Sequence, residues 1–282
     1  MNKKHYLLII LSIFAVHVYA QDYSFYYNTC NDADILRSNY NYQEALACYE
    51  KAFNSVPYVH SERLMNACTS AVHVYEFNKA YNFAKLSVVN SGSTAIMVRL
   101  KRDKYRKFRK TKYYKNLKDS LETFKSQNAL KINKEYKKKI DSLQYVDQNI
   151  IRNNKSITGN YKIDLSSLPE DKYELDDRNF KVLLQLIDQY GFPSEEILGS
   201  EGYLNASIII HHCFRKKENE KYHHIIFDAI EKGWYLPRNF SFWYEQFYVW
   251  NKNQSFFGLL NKDNSESNLE RIKANRAKFY LK

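Results

Sequence analysis

The sequence predicts an all-α protein in which a set of helical repeats precedes a compact helical domain. Three observations carry this. Glycine and proline are scarce, seven and four in 282 residues, and regularly spaced hairpin turns cannot be built from so few. Apolar residues recur at spacings of three, four and seven, the period of a helix with one buried face. Small and aromatic residues also recur at a longer interval, with 35 residues from Ala45 to Ala80, as stacked helix pairs require.

The chain opens on a leader. Asn2, Lys3 and Lys4 make a positive start, Leu7 to Val16 is an almost unbroken apolar run, and Val18-Tyr19-Ala20 ends on a small residue. Residues 1–20 therefore read as a secretory signal peptide, with the mature chain beginning at Gln21. The run is too short to span a bilayer comfortably, and no later stretch approaches that length. The expected location is periplasmic or secreted, and the protein is not expected to be an integral membrane protein. Cys30, Cys48, Cys68 and Cys213 would then meet an oxidising compartment. They lack C-x-x-C spacing, so small apolar packing is the simplest role for them.

Residues 21–130 carry the repeats. Tyr42, Ala45, Tyr49, Ala52 and Pro57 resemble the second half of a tetratricopeptide repeat, and Ala67, Ala71, Phe77, Ala80 and Ala84 make a second copy. Small residues there let two helices approach closely, and an aromatic fills the groove. Such units cannot bury their faces alone. The stretch from Ser93 to Gln127 is expected to cap them, through Leu117, Leu121 and Phe124 on one stripe and Tyr105 and Phe108 on another. Stacked pairs present a concave surface to a partner protein or peptide. Alternatively, the repeats only position the next domain.

Charge is concentrated in the cap. Arg99 to Lys139 holds 17 lysines and arginines against four acids, while the whole chain has a net charge of +12. Such a segment suits an anionic envelope component. It also suits a chain whose lysines are simply wet helix faces. Nothing in it specifies nucleic acid.

Residues 131–282 form the second domain. From Ile132 to Arg152 a helix of about six turns carries Ile132, Tyr136, Ile140, Leu143 and Ile150 on one stripe. Asp147 falls on the same stripe, where an acid costs several kcal/mol unless it is paired. An irregular stretch follows, broken by Gly159, Ser166, Ser167 and Pro169. Asp176 or Asp177 then caps a helix that buries Phe180, Leu183, Leu184 and Ile187 and ends at Gly191 and Pro193.

The next helix, near Tyr203 to Phe214, runs through Ile208-Ile209-Ile210 into His211-His212-Cys213, so one histidine belongs in the core with a partner. A helix from about Asn219 to Lys232 turns Tyr222, Ile225, Ile226 and Ala229 inward, leaves His223 at the margin and ends at Gly233. Pro237 opens a helix whose Phe240, Trp243, Phe247 and Trp250 are core rings. Ser267-Asn268-Leu269-Glu270 reads as a capping box.

These residues carry a resemblance. Asp147-Gln148, Asp177 with Asn179, Gly191-Phe192-Pro193, Gly199, His212, Gly233 and Asn268 with Arg271 resemble an uncharacterised helical domain of bacterial proteins, over roughly Lys134 to Lys282. Secreted members from Bacteroidota often carry tetratricopeptide-like repeats in front. The resemblance implies an architecture and no reaction. This chain departs from the family in two places. Ile151 stands where an arginine usually follows the aspartate, with Arg152 one step later, and Glu245-Gln246 replaces an Asp-Arg pair.

An enzyme built here would use Asp147 as general base or metal ligand, His212 as acid, base or ligand, and Glu245 as a second carboxylate. No H-E-x-x-H, G-x-S-x-G or P-loop spacing occurs, so no cofactor and no metal is expected. The expected function is that of an exported protein-interaction or scaffold protein. Its repeats bind a partner and position the C-terminal domain.

Overall fold

A computed structural model describes residues 23–151, 172–260 and 266–282. Residues 1–20, Arg152 and the stretch from Gly159 to Pro169, on which sequence expectations fall, lie outside the described residues. Within them the fold is all-α, with no strand. No described helix is long and apolar enough to cross a membrane.

Helices α1 (Tyr23–Ser38) and α2 (Tyr42–Phe53) form one antiparallel hairpin, and α3 (Ser61–His73) and α4 (Phe77–Ser91) form a second. The two turns match 35 residues apart. Tyr40 and Tyr75 both adopt φ 64°, and Asn41 N–H donates to Leu36 O at 2.9 Å just as Glu76 N–H donates to Ala71 O at 2.9 Å. Ala45, Ala52, Ala67, Ala71, Ala80 and Ala84 are fully buried, so the backbones approach as closely as small side chains permit.

The cap is built from four short helices: α5 (Ala95–Leu100), α6 (Arg106–Arg109), α7 (Lys112–Asp119) and α8 (Leu121–Lys131). The chain turns into it at Gly92, which has φ 70° and sits so close to Asn128 that an added Cβ would lie 2.5 Å from Oδ1. The Arg109 guanidinium donates to the carbonyls of Leu100 at 3.2 Å and Arg102 at 2.8 Å. It thereby satisfies the end of α5 where the helix stops. Tyr105, Phe108, Leu117 and Phe124 are buried as expected, and Leu121 packs beside them.

Five longer helices follow: α9 (Lys134–Ile151), α10 (Lys172–Tyr190), α11 (Glu195–Phe214), α12 (His223–Glu231) and α13 (Pro237–Lys252). A last one, α14 (Glu266–Lys278), ends the fold. Several boundaries differ from the sequence expectation. Helix α10 begins at Lys172, so Asp176 and Asp177 lie inside it and do not cap it. Helix α11 begins at Glu195, where Ser194 Oγ accepts from Ile197 N–H at 3.4 Å, and it kinks at Gly199 with φ 70°.

His223 is no margin residue. It is 3% exposed, and its Nε2 donates to Phe214 O at 2.7 Å. Burial holds its imidazole below the ordinary value. Trp250 is 59% exposed and lies under Arg215, 5.3 Å from ring centroid to guanidinium, so of the four expected core rings of α13 only Phe240, Trp243 and Phe247 are buried. All four cysteines are free thiols, and Cys30, Cys68 and Cys213 are buried packing residues.

The core does not divide at residue 130, where composition places a boundary. One apolar cluster joins Tyr26, Tyr27 and Tyr49 of the first hairpin to Tyr136, Ile209 and Trp243 of the later helices. A smaller cluster unites α4 with the cap. The turn after α12 is pressed onto α1: Gly233 has φ 73°, and a Cβ there would lie 2.0 Å from the Tyr23 ring. Tyr27 Oη donates to the carbonyls of Ile230 at 3.2 Å and Tyr235 at 3.3 Å. The chain end closes the same side. Tyr280 stacks on Tyr27 at 5.5 Å, Asn31 Nδ2 donates to Tyr280 O at 2.5 Å, and Lys282 pairs with Asp32.

Candidate functional site

Three helices bring polar side chains together inside the C-terminal half. Asp147 projects from the last turns of α9, Asp176 from the second turn of α10, and His212 from the last turn of α11. Asp147 is 1% exposed and Asp176 3% exposed, while the His212 side chain is 14% exposed. His212 Nδ1 lies 2.9 Å from Asp147 Oδ1. A carboxylate only accepts, so Nδ1 carries the proton in this contact. Gln148 Nε2 donates to Asp147 Oδ2 at 2.8 Å.

The helix termini contribute to the pairing. A carboxylate is favoured in the first turns of α10 and an imidazolium in the last turn of α11, but Asp147 near the end of α9 is opposed by its own helix. Its partners must offset that. One ligand atom each from Asp147, Asp176 and His212 can be chosen so that all three lie within 4.8 Å of one another. The set offers a general base held by a carboxylate, or donors for a cation.

Cys213 is adjacent and unsuited to nucleophilic chemistry. Its thiol donates to Asp176 O at 3.5 Å. Burial first, and the nearby Asp176 and Asp147 carboxylates second, push it well above its ordinary value.

The structure separates Glu245 from the pair it was expected to join. Glu245 is fully buried in α13, and its oxygens are claimed by one loop. They accept from Ser255 Oγ and from the amides of Phe256 at 2.9 Å, Phe257 at 2.6 Å, Leu259 at 3.2 Å and Leu260 at 3.4 Å. A carboxylate so engaged orders the loop and has no lone pair to spare for a substrate.

A second polar centre escaped sequence inspection. Glu195, 4% exposed at the start of α11, accepts from Tyr58 Oη at 3.2 Å, Ser61 N–H at 2.9 Å and Ser61 Oγ at 2.5 Å. His60 Nδ1 approaches it to 3.3 Å, while His60 Nε2 donates to Gly233 O at 2.9 Å. Burial alone would raise the Glu195 carboxyl. Contact with His60 and Ser61 outweighs burial and holds it below the ordinary range. In the sequence it is one of two acids in a helix's first turn, indistinguishable from exposed Glu196.

No family model matches the chain, and neither a curated protein nor a solved structure matches it.

Glu195 sets a pH dependence. Its folded value lies below the unfolded value of about 4.3, so its contribution is complete above that value and is lost as pH falls through the folded one. Thermal melts between roughly pH 3 and 6 should fall more steeply toward acid for the wild type than for Glu195→Gln. Parallel curves would contradict this. For the other centre, His212→Gln or Asp147→Asn should destabilise the chelator-treated protein by about 1–3 kcal/mol, because each leaves a buried partner unsatisfied. An unchanged or raised melting temperature would mean that the pair is kept for chemistry at the expense of stability.

Proposed function

We propose that the protein is an exported binding protein whose helical hairpins, tetratricopeptide-like in sequence, hold the C-terminal helices. Its basic edge meets an anionic component of the cell envelope. The observation that carries this reading is the exposure of the basic segment. Of its 17 lysines and arginines none is buried, and twelve are exposed. Among the described residues, only Arg109, Lys125, Lys137 and Lys139 form ion pairs with carboxylates. The remainder, spread from α5 to the start of α9, are not neutralised by carboxylates and attract anions at a distance set by ionic strength.

An external peptide in the concave face of the hairpins is the less favoured partner. Helix α1 of the first hairpin is already covered by the chain's own turn at Gly233 and its last residues. A cavity of about 320 Å³ remains between Asn31, Asp34, Arg63 and the Tyr280–Lys282 end. Arg63 in it is engaged with Asp34, which also accepts from Asn66 Nδ2 at 2.9 Å. A second reading, an enzyme, is favoured only by the Asp147–His212 pair and has lost Glu245 as a participant.

Vesicles bearing anionic phosphate headgroups test the proposal. Binding should weaken by about tenfold or more between roughly 50 and 200 mM salt, as ion release from several contacts requires. Replacing unpaired Lys110, Lys112 and Lys115 with Gln should weaken it further. Lys137 and Lys139 are poor choices, being already paired. A flat salt response, or undiminished binding by the triple variant, would remove the proposal.

A further inference from the structure

The binding reading leaves Asp147, Asp176 and His212 unexplained. We propose that they form a divalent-cation site with coordination positions open to water or a substrate oxygen. This goes beyond the basic edge and is independent of it.

Three features point to a cation. The first is the donor set: two carboxylate oxygens and one imidazole nitrogen suit Zn²⁺, Mn²⁺ or Fe²⁺ and are poorly matched to soft-metal sites. Each donor comes from a different helix, so the set depends on tertiary structure and not on local spacing. The second is geometry. His212 Nδ1 and Asp147 Oδ1 are 2.9 Å apart, and two ligands at bond lengths of about 2.1 Å, set at right angles on one ion, stand about 3 Å apart. The cation would sit to one side of the line between them, and its binding would displace the proton that now bridges them. All three donors lie within 4.8 Å, so a small inward rotation of the Asp176 carboxylate completes the set. Two carboxylates this close repel each other, and a bound dication turns that repulsion into coordination.

The third feature is Asn179. It is 2% exposed, and its side-chain Nδ2 has no partner among the described residues. It stands three residues after Asp176 on α10, hence on the same face. A buried amide donor without an acceptor is destabilising. An oxygen ligand on a cation held by Asp176 is the acceptor it lacks. Three protein ligands also leave positions open, as in sites that act on a bound water and unlike closed structural sites.

Each test uses purified protein stripped with chelator, with Co²⁺ and Zn²⁺ as the probes. The wild type should bind one equivalent of Co²⁺, displaceable by Zn²⁺, and should melt at a higher temperature with metal present. Asp176→Asn and His212→Gln should each weaken binding by about 100-fold or more, whereas His224→Gln, at an exposed position, should not. His212→Cys should give cobalt a new near-ultraviolet thiolate charge-transfer band, because residue 212 is itself a ligand. Circular dichroism screens each variant for folding. If the Asn or Gln variant fails to fold, the wild-type titration and the cysteine variant's band decide. Absence of saturable binding by the wild type would overturn the proposal. So would full-strength binding by Asp176→Asn and His212→Gln, or a cobalt-loaded His212→Cys without the band.

Discussion

A buried carboxylate joins the two halves of this chain. Glu195 lies at the start of α11, and an ionised group in such a place costs several kcal/mol unless hydrogen bonds replace its water. Tyr58 and Ser61, from the loop between the two hairpins and the start of α3, supply those bonds, and His60 Nδ1 stands 3.3 Å away. The loop and α11 therefore cannot separate without exposing unsatisfied groups on both sides. His60 extends the link by donating to Gly233 O. That contact sets the turn against Tyr23, and with it the aromatic surface of α1 against the later helices.

This constraint decides which surfaces remain for other molecules. Helix α1 is covered by the turn at Gly233 and by Tyr280 and Lys282 at the chain end, while most lysines and arginines of the short helices α5 to α8 are exposed. The Asp147–His212 pair lies in α9 and α11, on a different set of contacts from Glu195. The molecule thus has two polar centres of different kinds. One is closed around a carboxylate by four groups, and the other gathers two carboxylates and a histidine.

What the sequence made legible was whatever repeats along a helix. The fold class followed from spacing, and Tyr42, Ala45, Tyr49 and Ala52 placed a helix pair whose turn recurs at Tyr40 and Tyr75 with the same φ. Asp147 was conspicuous because a charge interrupted an apolar stripe. His212 was conspicuous for the same reason, and the two meet. Glu195 and Asp176 were not legible, because an acid near a helix start is ordinary, and the residues that meet them lie on other elements, for Glu195 more than a hundred positions away. His223 looked marginal beside charged neighbours, yet the ring of Phe247 lies 4.7 Å from it. Glu245 was misjudged as an available carboxylate because its loop partners follow ten to fifteen residues later, outside any helical period.

Hairpins and C-terminal helices share one apolar core and should therefore unfold together. All three tryptophans, Trp234, Trp243 and Trp250, lie in the C-terminal half, whereas far-ultraviolet circular dichroism reports every helix. Equilibrium urea unfolding followed by both signals tests the claim directly. Coincident transitions with a single midpoint are the predicted result. A tryptophan transition displaced from the circular dichroism transition, or two steps in the latter, would mean that the halves are separate cooperative units and would contradict the shared core.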